Sequence, residues 1–409
     1  MKILLIGSGG REHALAWKIA QSQLVSRLVC ASSNPGMAEA GDCRDIADPI
    51  VFAKEEGIDL VVVGPEQPLA EGLADRLEAE GIPCFGPVKA GATLETSKAF
   101  TKEICDAAGV PTARYGHFTE SSSAKAFLKE FKAPYVVKAD GLAAGKGVII
   151  ADDLARAEAA VDELLKVSCS VVIEEFMEGW EVSVFAVTDG ESIQRFGSAG
   201  DYKRAHDGDE GPNTGGMGAV SPHPNFSREL EDQAYAEIIE PTLRELKKRD
   251  IAYRGVLYAG LMITAEGPKL VEYNCRFGDP ECQILMRRLR SDVVPSLWGA
   301  ATGRLAGVGL DWKDEAGVLV TYAAEGYPGA YEKGSEIQGL DEVHKDFDTY
   351  VFHAGTKNDG EKILANGGRV LSVTALGDDI PSARAKAYKA AETIDWPEGF
   401  YRTDIAKGL

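Results

Sequence analysis

Residues Pro268 to Gln283 read PKLVEYNCRFGDPECQ, and the first half of this stretch has the composition of a β-strand. Successive side chains of a strand point to opposite faces, so residues two positions apart share a face. The face of interest then carries Leu270, Glu272, Asn274 and Arg276. Glutamate and asparagine oxygens are ligands of Mg²⁺ shared with phosphates, and arginine binds phosphates or carboxylates. The strand predicts a metal beside an anion, although a polar strand face with a surface ion pair fits the same pattern.

The residues on either side predict how this strand is held. Gly255 to Thr264 is an apolar strand and Ala265 to Pro268 is a turn, so the two strands form a predicted β-hairpin. Phe277 to Glu281 is expected to turn, and Cys282 to Arg290 to start a helix. The oxygen ligands and the arginine therefore lie where a strand gives way to a loop.

Composition narrows the class of partner. A chain of 409 residues predicts two to four domains of roughly 100 to 200 residues each. The net charge of −20 argues against a nucleic-acid partner, which needs clustered Lys and Arg. No run approaches the ~18 to 20 apolar residues of a membrane span, and the N-terminus has no signal-peptide layout. These two absences lead us to expect a cytoplasmic protein without a membrane partner. Seven cysteines without a CxxC pair indicate reduced thiols, which agrees with that expectation.

The N-terminus predicts a strand, a glycine turn and a helix. Met1 to Gly7 is the strand, Ser8 to Arg11 the turn and Glu12 to Ser22 the helix. A glycine turn at a helix N-terminus favours anions. Two features oppose a dinucleotide site: Glu12 replaces the third glycine of the fingerprint, and the strand ending at Cys30 to Ser32 lacks a ribose-binding acid. The turn therefore indicates either a phosphate site or only a tight turn.

Strands and helices continue to alternate, which predicts a parallel sheet. Glu66 follows the predicted strand Ile58 to Val63, at the carboxyl end where ligands bind in such sheets. One helix is predicted over Leu69 to Glu80. A second helix, over Leu94 to Ala108, carries two lysines four residues apart.

The glycine-rich loop Ala139 to Gly147 (ADGLAAGKG) lies between two predicted strands, Tyr135 to Lys138 and Val148 to Ala151. It is not a P-loop, because Lys146 is followed by glycine and because a strand comes where a P-loop has a helix. Glycines let backbone N–H groups approach phosphate oxygens, and Lys138 and Lys146 supply positive charge. The loop is a predicted phosphate-covering flap.

Three acidic side chains lie at a predicted strand break within Ser170 to Phe185, namely Glu174, Glu175 and Glu181. They fit a solvated ion network with nearby lysines, or a loop that grips the base and ribose of a nucleotide. The sequence alone leaves both interpretations open.

Ser198 to Pro222 is rich in glycine and charge, and we expect it to lack regular structure. A loop of this length in a compact enzyme is usually a functional lid or else disordered. Asp201, Lys203 and Arg204 are its candidate contacts. From Gly317 the chain becomes strand-rich and ends in a helix, which predicts a small C-terminal α+β domain.

Together these stretches resemble the glycinamide ribonucleotide synthetases, a family of ATP-grasp ligases. Matching motifs are GSGGREHALAW from Gly7, KADGLAAGKGV from Lys138, GPNTGGMGA from Gly211, RFGDPECQ from Arg276 and HAGT from His353. RFGDPE with GPNTGGMGA is specific to this family, whereas the flap indicates only an ATP-grasp protein. The resemblance implies an α/β and α+β multidomain fold: a Rossmann-like domain over 1–101, an ATP-grasp domain over 102–312 with a mobile lid at about 123–189, and a small α+β domain over 313–409.

The resemblance also implies an activity. Members join glycine to 5-phosphoribosylamine at the expense of ATP, giving glycinamide ribonucleotide, ADP and phosphate through a glycyl phosphate intermediate, in the second step of purine biosynthesis. The implied cofactors are ATP with Mg²⁺ or Mn²⁺. The implied partners are the two small-molecule substrates, and the expected state is a monomer or a weak homodimer.

Site residues follow from the same resemblance, position by position. The metal ligands would be Glu272 and Asn274, and the catalytic cations Arg276 and Lys146. The ATP contacts would be Lys102, Lys138, Lys146, Glu174, Glu175, Phe176, Met177 and Glu181. The substrate contacts would be Gly9, Gly10, Arg11, Glu66, Asp201, Lys203, Arg204, Asp279 and Glu281.

Three other functions predict different residues at these positions. A different ATP-grasp ligase would share the flap and metal site but not RFGDPE or the lid. A nucleotide-binding oxidoreductase is opposed by Glu12, and a non-catalytic ATP-binding regulator is expected to lose residues of the metal site. Two departures from the family remain: Tyr258 to Thr264 lacks the acidic metal ligand common in ATP-grasp enzymes, and Ser33 to Gly36 reads SNPG, so a substrate role for Asn34 stays open.

Overall fold

The computed structural model describes residues 1–142 and 147–409, and it begins with a parallel sheet. Its strands lie in the order β3-β2-β1-β4-β5, and every neighbouring pair is parallel. A 3₁₀ turn covers Pro35–Glu39. The regular elements are β1 (Lys2–Ile6), α1 (Gly10–Ile19), β2 (Arg27–Ala31), β3 (Asp42–Arg44), α2 (Pro49–Glu56), β4 (Leu60–Val63), α3 (Glu66–Ala70), α4 (Leu73–Ala79), β5 (Cys84–Phe85) and α5 (Lys89–Thr96).

Alternate side chains of these strands enter two different hydrophobic cores. Leu4 and Val61 belong to one core, while Ile3 and Val62 belong to the other. A parallel sheet with helices on both faces buries both sides of its strands, which explains their continuous apolar runs. The Rossmann-like N-terminal fold is confirmed.

The central part of the chain contains a small antiparallel sheet in the order β6-β9-β7-β8, with its own hydrophobic core. A π-helical turn at Tyr235–Ile239 joins two helices into one long helical segment. The regular elements are α6 (Lys98–Ala108), β6 (Tyr115–Phe118), α7 (Ser121–Leu128), β7 (Tyr135–Ala139), β8 (Val148–Ala151), α8 (Leu154–Leu164), β9 (Val171–Glu175), β10 (Trp180–Thr188), β11 (Ile193–Asp201), β12 (Arg204–His206), β13 (Glu210–Asn213), β14 (Gly218–Ser221), α9 (Arg228–Ala234), α10 (Glu240–Lys248), β15 (Gly255–Thr264), β16 (Gly267–Asn274), α11 (Glu281–Arg288) and α12 (Val294–Thr302).

The C-terminal strands join a large antiparallel sheet, in the order β16-β15-β10-β11-β14-β17-β22-β19, with β23 also paired to β17. This sheet is continuous across residue 313, because β14 pairs with β17. Among the described residues, no helix combines the length and apolar content needed to cross a membrane. The regular elements are β17 (Ala316–Ala324), β18 (Glu336–Ile337), α13 (Leu340–Val343), β19 (Thr349–His353), β20 (Thr356–Asp359), β21 (Lys362–Ala365), β22 (Arg369–Gly377), α14 (Ile380–Thr393) and β23 (Gly399–Phe400).

Two predicted helices are each broken in the structure. The expected helix over Leu94 to Ala108 divides at Ser97, which has extended backbone and caps α6 by accepting a hydrogen bond from Phe100 N at 3.1 Å. The expected helix over Leu69 to Glu80 divides at Gly72, whose φ of +81° is left-handed. Both predictions of a single helix were wrong, because a local capping or glycine conformation interrupts the apolar pattern.

The expectation that Ser198 to Pro222 lacks regular structure was also wrong. β11 continues to Asp201, β12 and β13 form a hairpin, and β14 is fully buried in the large sheet. The hairpin is held from outside, because the Arg402 guanidinium donates to Arg204 O at 3.0 Å and Gly208 N donates to the Asp404 carboxylate at 2.8 Å. These anchors come from the distant C-terminus.

The hairpin of β15 and β16 is confirmed, but the predicted face of β16 is wrong at Leu270. Gly260 pairs with Glu272 whereas Leu261 pairs with Leu270, so one extra residue forms a bulge between them. Leu270 therefore packs into the hydrophobic core, and Glu272 and Asn274 line a cleft.

Asn34 joins the N-terminal sheet to the C-terminal strands. Its buried side-chain amide donates to Ser8 O at 2.9 Å and to His353 O at 2.8 Å, and its oxygen accepts from Gly36 N at 3.0 Å. Since all of its hydrogen-bonding groups are used within the protein, the structure gives Asn34 a structural role.

We predict that Asn34→Ala lowers the free energy of unfolding by about 1–3 kcal/mol, because it removes a buried amide that donates to the Ser8 and His353 carbonyls. Urea unfolding followed by circular dichroism measures this change. The control is Asn358→Ala at an exposed position, which should alter stability by less than about 0.5 kcal/mol. Equal effects of the two substitutions would contradict the assigned role.

Candidate active site

A cleft of about 440 Å³ lies where the N-terminal sheet, the small antiparallel sheet, the large sheet and the C-terminal strands meet. Charged side chains from all four regions line it. The predicted site residues that it gathers are Arg11, Glu66, Lys102, Lys138, Glu174, Asp201, Lys203, Glu272, Asn274, Arg276, Asp279 and Glu281.

The Glu174 carboxylate lies between two lysines on the floor of this cleft. Its Oε1 is 3.1 Å from Lys102 Nζ and its Oε2 is 2.8 Å from Lys138 Nζ. The Glu174 side chain is only 3% exposed. Burial raises the pKa of Glu174, but the two lysines outweigh burial and hold it below its ordinary value. Glu174 therefore stays ionised and keeps both ammonium groups in the cleft.

Lys98 also lines the cleft, although it was not among the predicted site residues. Its Nζ donates to Gly141 O at 3.2 Å, and burial lowers its pKa while the Glu272 carboxylate opposes that shift. Its backbone N–H donates to the Asp140 carboxylate at 2.6 Å, which ties α6 to the start of the glycine flap. The spacing of four residues from Lys102 was the available signal, because it places both side chains on one helix face.

Arg276 is clamped by two carboxylates from the N-terminal part of the chain. Its Nη2 donates to Glu95 at 2.8 Å and its Nε donates to Glu66 at 3.2 Å. Burial lowers the pKa of Arg276, and the two carboxylates more than reverse that effect. For the Glu66 carboxyl, burial raises the pKa, but the charges of Arg276 and Arg11 outweigh burial and bring the pKa below its ordinary value. No local sequence pattern marks Glu95, which lies 181 positions from Arg276.

Glu272 and Asn274 carry the oxygen atoms that suit a hard divalent cation. Within residues 1–142 and 147–409, neither side chain has a hydrogen-bond or ion-pair partner, and both line the cleft. The same part of the chain contains no group of three or more His, Cys, Asp or Glu arranged to hold a metal by itself. Two protein oxygens fit a cation that takes its other ligands from phosphates and water.

The N-terminal glycine turn is organised by Glu12 and Arg11. Glu12 accepts from Gly9 N at 2.7 Å and from Arg11 Nε at 2.5 Å, and Arg11 Nη1 donates to Phe277 O at 3.1 Å. Burial lowers the pKa of Arg11, but the negative charge of Glu12 opposes that effect, and the net pKa is raised. A Cβ on Gly10 would lie 2.6 Å from Gln283 Nε2, so a larger residue there would have to displace the buried Gln283 side chain. Gly9 and Gly10 lie beside the cleft rather than on its lining.

Asp201 and Lys203 enter the cleft from the end of β11. Burial raises the pKa of Asp201 to about 7, with Glu281 adding to the shift and Lys203 opposing it. Lys203 pairs with Glu181 and lowers the pKa of that carboxyl. Arg204 does not line the cleft, because its guanidinium donates to Gly211 O at 2.7 Å within the β12–β13 hairpin.

The loop before α11 is held by the C-terminal strand β22. Arg369 donates to Asp279 O at 2.6 Å and to Gly215 O at 2.7 Å, and its guanidinium is 3.5 Å from the Asp279 carboxylate. Burial raises the pKa of Asp279, but Arg369 and Arg11 outweigh burial, so the net pKa lies below its ordinary value. Glu281 accepts from Ser183 Oγ at 3.0 Å. Arg369 was not among the predicted site residues, although it lies in the stretch Gly367 to Leu371 that resembles the family.

Among the described residues, four predicted nucleotide contacts lie outside the cleft lining, namely Glu175, Phe176, Met177 and Glu181. Glu175 accepts from Arg114 N at 2.9 Å, and Phe176 is 41% exposed between β9 and β10. Met177 follows on the same connection. Lys146 lies outside the described residues and stays a prediction.

Family models match almost the whole chain. The phosphoribosylglycinamide synthetase N domain matches residues 1–95, the ATP-grasp (A) domain residues 96–282 and the C domain residues 317–408.

Individual relatives agree with these matches. A phosphoribosylamine–glycine ligase of Caulobacter vibrioides is 57% identical over 99% of this chain and 97% of its own length. The crystal structure of phosphoribosylamine–glycine ligase from Thermotoga maritima superposes with a TM-score of 0.86 at 33% identity, covering 99% of this chain and all of its own. The biotin carboxylase domain of a Hydrogenobacter thermophilus 2-oxoglutarate carboxylase, solved with MgADP, shares the fold alone, with a TM-score of 0.74 at 19% identity over 98% of this chain and 91% of its own. This chain therefore belongs to the phosphoribosylglycinamide synthetase family of ATP-grasp ligases.

Proposed function

We propose that this chain uses ATP to join glycine to 5-phosphoribosylamine, giving glycinamide ribonucleotide, ADP and phosphate. The observation that carries the proposal is the convergence of a paired-lysine cluster, the side-chain oxygens of Glu272 and Asn274, and a clamped arginine in one cleft. Full-length similarity to phosphoribosylamine–glycine ligases supports the choice of substrates.

The chemistry begins with a carboxylate, which is a poor electrophile. The glycine carboxylate oxygen attacks the γ-phosphorus of ATP, the bond to ADP breaks, and glycyl phosphate forms. The amine of phosphoribosylamine then attacks the acyl carbon, loses a proton, and expels phosphate. Phosphoryl transfer of this kind depends mainly on positioning and charge neutralisation.

Lys102, Lys138 and Lys146 are proposed to hold the ATP phosphates, and Lys98 joins them by its position in the cleft. Arg276 would neutralise the transferred phosphoryl group or the glycine carboxylate. Glu272 and Asn274 would hold Mg²⁺, with Mn²⁺ as a substitute, and the cation would neutralise phosphate charge. A closed flap would exclude water from the acyl phosphate.

Other contacts remain proposals of the same kind. The hinge between β9 and β10, with Glu175, Phe176 and Met177, would contact adenine, and Glu181 the ribose. The phosphoribosylamine contacts would be Gly9, Gly10, Arg11, Glu66, Asp201, Lys203, Asp279 and Glu281. Arg204 would act only through the hairpin that it holds. The Glu174 side chain is better placed to align the lysines than to contact adenine.

Several broader properties are proposed with this function. The domains would span 1–101, 102–312 and 313–409, with a mobile lid at about 123–189. Each of the seven cysteines, all within the described residues, is a free thiol, which supports a cytoplasmic location. The proposed assembly is a monomer or a weak homodimer.

The direct test is ADP release by the purified protein with Mg²⁺-ATP, glycine and freshly generated phosphoribosylamine, omitting each substrate in turn. We expect release to require both substrates and to yield a product that contains glycine and ribose phosphate. ADP release that does not depend on glycine would indicate a different acid substrate. A folded protein that releases no ADP would refute the proposal.

We predict that Glu174→Gln lowers the free energy of unfolding at pH 7 by about 3–5 kcal/mol, because two buried ammonium groups lose their counter-charge. In the native protein the pKa of Glu174 is below its ordinary value of 4.5. The Glu174 charge therefore stabilises the fold fully above pH 4.5, and this stabilisation is lost as the pH falls through the native pKa. The difference from the wild type should therefore narrow in acid.

Urea unfolding across this pH range measures the effect. Glu163→Gln is the matched control, since Glu163 makes an exposed ion pair with Arg156 at 3.3 Å. This control should change stability by about 1 kcal/mol or less. A Glu174 effect that is independent of pH would contradict the assignment.

We predict that Glu272→Gln raises the Mg²⁺ concentration for half-maximal turnover by about 10- to 100-fold, because a charged ligand is lost. Mg²⁺ titration at saturating ATP measures the shift. Glu266→Gln, at the exposed turn of the same hairpin, should leave the requirement unchanged. An unaltered Mg²⁺ requirement in Glu272→Gln would remove this residue from the metal site.

A further inference from the structure

Glu95 links the last turn of α5 to the end of β16. One carboxylate oxygen, Oε2, accepts from Cys275 N at 2.8 Å and from Cys275 Sγ at 3.2 Å, and the other, Oε1, accepts from Arg276 Nη2 at 2.8 Å. The Glu95 side chain is 7% exposed. Every one of these donors belongs to the two residues that follow Asn274.

We propose that Glu95 is a positioning residue, which holds the Arg276 guanidinium in the orientation used for ligation. This inference rests on the proposed function and adds to it a residue that makes its contribution through Arg276. The carboxylate cannot turn freely, because the Cys275 N–H fixes Oε2. Oε1 is thereby aimed at Arg276.

The thiol of Cys275 supports the same arrangement. Its Sγ lies 3.2 Å from Glu95 Oε2 and is a second donor to the oxygen that the Cys275 N–H already holds. Cys275 is 1% exposed, so no solvent competes for these contacts. Glu95 therefore has a fixed geometry before any substrate arrives.

The three contacts of Arg276 differ in how easily they can be replaced. Nη2 is held by the shielded Glu95 and Nη1 donates to Phe277 O at 3.3 Å, while Nε faces Glu66, whose side chain is 32% exposed. An incoming anion can take the place of Glu66 more easily than that of Glu95, because the shielded pair is screened less by water. Glu95 then keeps one edge of the guanidinium fixed while the Nε edge meets the substrate.

The sharpest variant is Glu95→Gln, which keeps the shape and an amide oxygen for the Cys275 N–H but removes the charge facing Arg276. We expect kcat to fall about 10- to 100-fold, as for a misplaced catalytic group, with a smaller change in the KM for ATP. Glu103→Gln is the matched control, since Glu103 forms an exposed pair with Arg249 at 2.6 Å on the adjacent helix. This control should keep wild-type kcat.

Two further variants separate positioning from a purely structural role. In an Arg276→Lys background, Glu95→Gln should cost less than about threefold, because the group through which it acts has already been altered. Glu95→Asp retains the charge and should retain more activity than Glu95→Gln. If Glu95 served only to hold the Cys275 N–H, the isosteric glutamine would be the better substitute.

Three results would contradict a positioning role for Glu95. Equal losses from Glu95→Gln in both backgrounds, a wild-type kcat in Glu95→Gln, or the reverse order of the Asp and Gln variants would each overturn the proposal. If Glu95→Gln does not fold, as judged by thermal unfolding, the comparison of Glu95→Asp with the wild type in both backgrounds decides it. A wild type without glycine-dependent ADP release would overturn the proposed function itself, whereas an active wild type confines any failure to Glu95.

Discussion

The active cleft depends on one buried carboxylate, Glu174, that holds two lysines from different elements. Lys102 comes from α6 and Lys138 from β7, and neither ammonium group would be stable at this depth without a counter-charge. A buried ion pair adds little to stability compared with a hydrophobic contact, but it fixes where the charges lie. Two cations are thus ready for a polyanion, and the electrostatic cost of gathering them is met during folding.

Carboxylates also fix the positions of the two arginines of the cleft. Arg276 is held between Glu95 and Glu66, and Arg11 is held by Glu12. Both arginines also donate to the Phe277 carbonyl, so the N-terminal turn and the RFGDPE loop share one acceptor. One protein carbonyl therefore connects the Arg11 and Arg276 guanidinium groups and ties the position of the N-terminal turn to that of the loop.

Strand geometry decides which side chains reach this network. The bulge in β16 sends Leu270 into the core and leaves Glu272 and Asn274 in the cleft, which a regular strand could not do with this sequence. The break between α5 and α6 has a comparable effect. Because Ser97 ends one helix and caps the next, Glu95 can point to Arg276 while Lys98 and Lys102 line the cleft.

The sequence by itself determined the parallel N-terminal sheet, the hairpin that carries Glu272 and Asn274, and the family, because alternation, turn residues and contiguous motifs are local properties. It could not reveal the bulge at Val271, the hairpin within the segment expected to be irregular, or the partners of the arginines. Glu95 and Arg369 stand 181 and 90 positions from the residues that they hold, and no local pattern marks such a pair. Only the folded chain brings these charges within hydrogen-bonding distance, where burial makes each contact strong enough to set the geometry of the site.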